Sequence, residues 1–447
     1  MGRGEGPVRL AIVGAGNRGR HVYAAWCRRH PEEARVVAVA DPDPVRRAAV
    51  GDDHRIAPSH RHARWEALLA DVSDIDGVVV ATPDRLHVGP AVAALDRGLD
   101  VLLEKPVATD VHGLAALRAA ARGATGRVTV AHVLRYTPFF RTLERLLDEG
   151  AIGTLTGIVQ QEDIGHQHFA HSYVRGNWRR TDLAAPMILS KACHDLDLLR
   201  WLAGAPWTVL ASVGGLTHFH AGNAPEGAPE RCLDGCAIED TCPFHAGRYY
   251  LEDLAGWDGW PIPVLTEDPS PEGRRAALEA GPYGRCVYRC DNDVADHQVV
   301  TCAFANGVTA TLTVSAFTAT NTRRVRLLGT HGELAGDLED GVITLRRFGA
   351  ATPRRGDGEG PTQVVRVGGG RPREGVPAGV VVGHAGGDDG LMAAFVAQVR
   401  RGPAGREPAA PTSLEDAVDS HLMAFAAERA RLTGRLVRAE DQGLDPP

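Results

Sequence analysis

The stretch Val8-Arg9-Leu10-Ala11-Ile12-Val13-Gly14-Ala15-Gly16-Asn17-Arg18-Gly19 decides the fold of this 447-residue chain. An apolar run suited to a buried strand is followed at once by G-x-G-x-x-G, which opens a helical segment. Glycines there allow a tight turn and close approach of backbone to a pyrophosphate, whose charge the helix N-terminus stabilises. Alone the pattern is weak. It gains weight from Asp41, which ends the next apolar run, Val36–Ala40. A carboxylate there accepts hydrogen bonds from an adenosine ribose and repels a 2′-phosphate. NAD is therefore favoured, and Arg46 and Arg47 nearby leave NADP open.

Working outward, strand-like runs recur at Gly77–Ala81, Val101–Leu103 and Val128–His132. Helical stretches lie between them, among them His21–Arg29, Val88–Arg97 and Val111–Arg122. Alternation of this kind predicts a doubly wound parallel sheet, a Rossmann domain over residues 1–135. The pattern then changes. Pro138–Glu149 reads as a helix closed by Gly150, Thr154–Glu162 as a strand, and Met187–Leu202 as one helix. Val299–Phe304, Val308–Ala316, Arg323–Leu328 and Val342–Phe348 read as strands, with a turn at Asn306-Gly307. These predict an α+β domain over 136–447 with a large, mostly antiparallel sheet. Residues 218–290 read as a partly ordered, cysteine-containing insertion, and 350–378 as a mobile Gly/Arg/Pro-rich loop. Helices return at Leu391–Arg400 and Ser413–Leu432.

A net charge of -7 supplies no basic field for nucleic acid or an anionic membrane. No apolar run approaches the roughly 20 residues of a membrane span. The first apolar run ends in glycines and not in a cleavage site, so no export signal is expected. Eight cysteines are too sparse for a disulfide scaffold and favour a reducing, cytoplasmic setting. One count carries more. Of 49 basic residues only Lys105 and Lys191 are lysines, leaving 47 arginines. An ammonium is a compact donor whose proton affinity the surroundings can tune, so two lysines kept against such a bias are candidates for chemistry.

Their neighbourhoods support that reading. Leu103-Glu104-Lys105-Pro106 ends a strand at the carboxyl edge of the sheet, where doubly wound folds bind ligands. Thr82-Pro83 ends another strand at the same edge, followed by His87. The second lysine lies in Ser190-Lys191-Ala192-Cys193-His194-Asp195-Leu196-Asp197, where a straight helix would put 190, 194 and 197 on one face. His194, bracketed by a hydroxyl, an amine and a carboxylate, is read as a general acid/base. The polar and aromatic stretch from His166 to Trp178, which includes Arg175, suits a sugar pocket or a solvated loop equally well. Cys232, Cys236 and Cys242, with His245 following, could hold a structural zinc. Their spacing is not the paired C-x-x-C of zinc motifs, so reduced thiols are favoured and no metal is assigned. Asp291-Asn292-Asp293 and His297 suit either a pocket rim or a turn.

The G-x-G-x-x-G opening, Thr82-Pro83 with His87, Glu104-Lys105-Pro106, and the helix with His194 and Asp197 together resemble the glucose–fructose oxidoreductase / inositol dehydrogenase / rhizopine-catabolism (Gfo/Idh/MocA) family. The resemblance spans essentially the whole chain, and the Glu-Lys-Pro tripeptide is its most specific element. It implies oxidation or reduction of a sugar or cyclitol hydroxyl with NAD(P), the family lysine at Lys105 and its histidine at His194. It also implies a homo-oligomer. The predicted cofactor-binding set is Gly14, Gly16, Asn17, Arg18, Gly19, Asp41, Thr82, Pro83, His87, Glu104 and Lys105. The catalytic set is Lys105, His194 and Lys191, and the substrate-binding set is Arg175, Trp178, Ser190 and His194. Two departures mark a divergent subgroup. Ser190 stands where the family commonly has Asp, and Ala185-Pro186 replace glycines that open the helix. Two alternatives stay open: a redox-neutral NAD-dependent glycosidase of the same family, and a non-catalytic NAD or sugar binder.

Overall fold

The computed structural model describes residues 6–349, 362–368, 377, 380, 383–402 and 411–442. They form two compact units, and the division is not a single cut near residue 135. Residues 386–422 belong with the N-terminal unit, and 423–442 with the unit that begins at Thr137.

The first unit is built on six parallel strands: β1 (Val8–Val13), β2 (Ala34–Ala40), β3 (Arg61–His62), β4 (Gly77–Val80), β5 (Asp100–Leu103) and β6 (Val128–Val130). Their order is β3-β2-β1-β4-β5-β6. Leu10, Ile12, Val78, Val79 and Leu102 are fully buried, as unbroken aliphatic runs are when both faces of a sheet are covered. The two-residue β3 is too short to leave a pattern in the sequence. The helix expected at His21–Arg29 starts earlier, as a wide turn over Asn17–Ala24 that tightens into Ala25–Arg29. Further helices are set by their caps: Asp43 accepts from the backbone of Val45 and Arg46, and Asp110 from that of Gly113. Helix Gly387–Arg401 completes this core with Leu391, Phe395 and Val396. At the sheet edge Val130 N–H donates to the Thr412 carbonyl at 2.8 Å.

The second unit carries nine strands: β7 (Leu155–Asp163), β8 (Trp207–Gly215), β9 (His297–Phe304), β10 (Thr309–Ser315), β11 (Thr322–Gly329), β12 (Gly332–Asp337), β13 (Val342–Arg347), β14 (Thr362–Arg366) and β15 (Val437–Arg438). The order is β14-β13-β12-β11-β7-β10-β9-β8-β15. Every pairing is antiparallel except β7 with β10. Along β10, Ala310, Leu312 and Val314 are buried while Thr309, Thr311, Thr313 and Ser315 face outward, the expected period of two. Gly307, with φ of 85°, makes the turn between β9 and β10. The stretch expected to be a loop over 350–378 contains β14; of its other residues, 350–361, 369–376 and 378 lie outside the described residues. The insertion is also more organised than expected. Tyr249, Tyr250, Leu254, Ile262 and Leu278 form a core of its own, and the buried Arg274 donates to the carbonyls of Tyr250 and Leu254. No helix among the described residues is long and apolar enough to cross a membrane.

Candidate active-site residues in the two units

In the first unit the glycine turn has the shape a dinucleotide needs. Gly14 adopts φ of 95° against Ala81 and Thr82, where a Cβ would collide with backbone. A Cβ on Gly19 would strike the Gly14 carbonyl, so this glycine lets the helical turn close onto the loop. At Gly16 a Cβ would meet nothing within 4 Å, which leaves the space above the turn open to a ligand. Asp41, at the carboxyl end of β2, accepts from Ala15 N–H at 2.6 Å and from Asp43 N–H at 2.8 Å. The carboxylate is thereby held over the turn. Arg47, which left NADP open, turns its guanidinium onto the Asp41 carbonyl. Thr82 Oγ1 is buried with no hydrogen-bond partner among the described residues, an orphaned polar atom beside the turn. An open cradle, a fixed ribose acceptor and an orphaned hydroxyl together fit NAD.

Three members of the predicted cofactor set are used differently. Arg18 Nε donates to Glu104 Oε1 at 2.5 Å and its Nη2 to Asp388 Oδ1 at 2.8 Å, so its side chain ties the fold together and does not reach for phosphate. Glu104 is buried and also accepts from the Tyr23 hydroxyl at 2.5 Å and from Lys105 N–H at 3.1 Å. His87 sets one ring nitrogen 2.6 Å from the Pro106 carbonyl and the other 2.9 Å from that of Thr82. It pins the Thr82-Pro83 turn to the Glu104-Lys105-Pro106 turn. Behind Lys105 lies His132, a residue the sequence did not single out; burial, with Arg135 and Lys105 adding to it, drives its basicity far down and keeps the imidazole neutral.

In the second unit the single helix expected over Met187–Leu202 is broken. Met187–Ser190 and Cys193–Ala203 are separate helices, and Ala192 N–H reaches back five residues to the Met187 carbonyl at 3.4 Å. One residue more than a regular turn is accommodated there, a distortion common where side chains are aimed for function. The face predicted for Ser190, His194 and Asp197 is therefore not continuous. Ser190 is buried, and its hydroxyl donates to the Pro186 carbonyl at 3.2 Å. Lys191 falls at the break, with its Nζ 3.1 Å from Glu162 Oε1. His194 is 5% exposed, and its ring centroid lies 6.1 Å from that of His384. Asp195, Glu162, Arg323 and His384 were missed by sequence reasoning. The acids and Arg323 looked like ordinary members of a helix and two strands, and His384 stands far along the chain from the histidine it faces.

Family models match both units: residues 8–132 match the oxidoreductase family with NAD-binding Rossmann fold, and 140–241 the GFO/IDH/MocA C-terminal domain. The chain belongs to the Gfo/Idh/MocA oxidoreductase family. Among its relatives, inositol 2-dehydrogenase 4 of Saccharopolyspora erythraea is 33% identical over 215 residues, 46% of this chain and 56% of the relative. The inositol 2-dehydrogenase of Streptomyces avermitilis is 33% identical over 49% of this chain and 59% of the relative. The chain thus spans less than two thirds of the length of these curated relatives. Levoglucosan dehydrogenase, solved with NADH and levoglucosan, superposes with a TM-score of 0.67 at 17% identity, covering 97% of this chain and 99% of that one. An oxidoreductase domain protein from Kribbella flavida gives 0.67 at 19% identity, with coverages of 97% and 99%. At these identities the superpositions establish the fold.

Within this Gfo/Idh/MocA chain the stretch from His166 to Trp178 is no solvated loop: helical turns run over His166–Phe169 and Ala170–Arg175, and residues 169–176 are buried. Arg175 is fully buried and donates to the carbonyls of Arg285 and Phe244, each at 2.7 Å, with Cys232 Sγ at 3.6 Å. Its guanidinium holds the insertion and is not free for substrate. His171 stacks on Tyr283 with centroids 4.6 Å apart; burial and then Arg175 push its pKa down to about 3. Trp178 is half-buried and stacks on Tyr173. Cys232, Cys236 and Cys242 are free thiols, and these three sulfurs do not all lie within 4.8 Å of one another. Asp291 pairs with Arg179, Arg180 and Arg285, and Asp293 with Thr181, so these acids pin a loop.

Proposed function

We propose that this chain is an NAD-dependent dehydrogenase that transfers hydride between a sugar or cyclitol hydroxyl and the nicotinamide. The observation that carries this reading is the pairing of two devices in one chain: an NAD-shaped turn with Asp41 and Lys105, and a nearly buried His194 beside Lys191 at a distorted helix start. The inositol 2-dehydrogenase relatives support the substrate class. Bound NAD supplies the hydride acceptor. Gly14, Gly16 and Gly19 hold its pyrophosphate, Asp41 its adenosine ribose, and Thr82 donates to it or accepts from it. His194 takes the hydroxyl proton at a ring nitrogen. Lys105 supplies an ammonium that stabilises developing alkoxide character. Lys191 is the accessory cation. Eight free thiols suit a reducing, cytoplasmic setting. A second copy of the chain is the proposed partner, because Val159 and Leu436 sit exposed along an apolar depression on the nine-stranded sheet.

The deciding experiment follows NADH absorbance against a panel of polyols, sugars and glycosides that includes myo-inositol and levoglucosan. NADH accumulation on a polyol or sugar is expected. Cleavage of a glycoside without net NADH would replace this reading with the redox-neutral one. On the substrate found, His194→Ala should lose about 10²–10⁴-fold in turnover with NADH binding retained. Lys105→Arg should also lose turnover, because a planar fork cannot occupy the place of a compact ammonium. Full activity in both variants overturns the mechanism. Asp41→Ser should weaken NAD binding and relax discrimination against NADP; unchanged affinity for both cofactors would remove Asp41 from the ribose.

A further inference from the structure

Lys191 is not a surface lysine, and its setting is unusually complete. Glu162 on β7 has no exposed side-chain surface, with Lys191 Nζ at 3.1 Å from one oxygen and Arg323 Nε at 2.8 Å from the other. Arg323 lies directly opposite Glu162 in the β11–β7 pairing. The same guanidinium grips Asp195 through Nε at 2.9 Å and Nη2 at 3.2 Å, and Gln160, also on β7, donates to Asp195 Oδ1 at 2.6 Å. Two cations and two carboxylates thus meet beneath the distorted helix start that carries Lys191 and His194, with Glu339 also near Arg323.

The fold alone does not ask for a lysine here. A second arginine would balance the charge, and this chain uses arginine almost everywhere. Only an ammonium offers a compact donor that can be shared between a buried anchor and a small reacting group. A lysine stem has several rotors, so an ammonium that must meet a hydroxyl needs a fixed counter-charge to hold it. Glu162 is fixed by its strand, by its cross-strand arginine and by burial.

We propose that Glu162 is a positioning residue of the reaction: it holds the Lys191 ammonium in place and, through Arg323 and Asp195, fixes the turn that presents His194. This rests on the reading of Lys191 and His194 as groups that meet substrate. Arg323 is the second cation, which lets the glutamate stay ionised away from water. Burial raises the Glu162 carboxyl above its ordinary range and Asp195 adds to the rise, while Arg323 and Lys191 oppose it.

Because the chain has only two lysines, the test does not need a substrate to begin. In protein labelled with ¹⁵N-lysine, the side-chain ammonium signals come from Lys105 and Lys191, and Lys191→Arg assigns them. Glu162→Gln, which keeps the shape and removes the charge, should shift or broaden the Lys191 signal and leave that of Lys105 in place. It should also lower turnover at least tenfold on the substrate of the panel, with NADH affinity within twofold. Glu162→Asp, which keeps the charge on a shorter stem, should retain the Lys191 signal and lose less activity. An unmoved Lys191 signal in Glu162→Gln overturns the proposal outright. A moved signal with wild-type turnover in both Glu162→Gln and Lys191→Arg overturns it in another way, by taking Lys191 out of the reaction. Loss of the NADH signal for every compound in the panel would instead defeat the dehydrogenase reading, and the lysine spectra would still decide the anchor.

Discussion

Glu104 and Glu162 are two buried glutamates, one in each unit, and each stands among an arginine and one of the two lysines. Their titration nevertheless moves in opposite directions. Burial raises both. Around Glu104 the opposing influences win: Arg18, Lys105 and the Tyr23 hydroxyl stabilise the anion, and its pKa falls below the ordinary value of 4.5. Around Glu162 two cations are present as well, yet Asp195 faces it across Arg323 and the pKa rises. Burial is common to the two sites. The two sites differ in a third donor on one side and a second carboxylate on the other, and each pushes in the direction observed. The fold therefore favours ionisation of the first glutamate and opposes that of the second.

The sharpest way to break this contrast is to remove both charges without changing shape. Glu104→Gln should cost on the order of 3 kcal/mol in urea denaturation, since it leaves the part-buried Arg18 beside an amide, with Asp388 and the Tyr23 hydroxyl as its remaining partners. Glu162→Gln should cost less than that, because Arg323 keeps Asp195 as a counter-charge and burial already opposes the Glu162 anion. Equal losses would mean that the two networks do the same work. A smaller effect should appear in the pH dependence of melting. The lowered pKa of Glu104 adds stability that is present above pH 4.5 and lost as pH falls through the folded value, so Glu104→Gln should flatten the acid limb. The smallest effect belongs to Glu339, whose pKa burial pushes up to about 7 against the pull of Arg323. A raised carboxyl contributes stability that is complete below 4.5 and lost as pH climbs through about 7. Glu339→Gln should remove a shallow decline in melting temperature over that window, and Glu162 should leave the acid limb unaffected.

The parallel sheet was readable because unbroken Val, Leu and Ile runs and a glycine turn are local signals, and both survive into β1, β2, β4 and β5. β8 and β12 were not, since Trp207–Gly215 and Gly332–Asp337 mix glycine with polar residues and owe their strand state to their neighbours. In the candidate site, the places of Asp41 at a strand end and of His194 on a helix were readable from spacing. Arg18 and Arg175 share one feature the sequence hid: a guanidinium near a loop looks available, while here each is engaged by carboxylates or carbonyls distant in sequence. Glu162 and Arg323 were invisible because their pairing joins β7 to β11, strands that stand far apart along the chain. The break at Lys191 escaped because apolar spacing at Ile188, Ala192, Leu196 and Leu199 survives the insertion of one residue into a turn.

The Arg18–Asp388 contact and the bond from Val130 to Thr412 bear on how the protein is made. The last strand of the nucleotide-binding sheet ends at Val130, yet Asp388, Phe395 and Thr412 are translated only after everything from Thr137 to Ala385. During synthesis the emerging sheet would hold Arg18 and Glu104 with one carboxylate missing and an uncovered apolar face, while most of the second unit is still being produced. At roughly 5–20 residues per second that interval lasts well over ten seconds. The first unit thus reaches its full set of contacts only once the chain has passed Thr412.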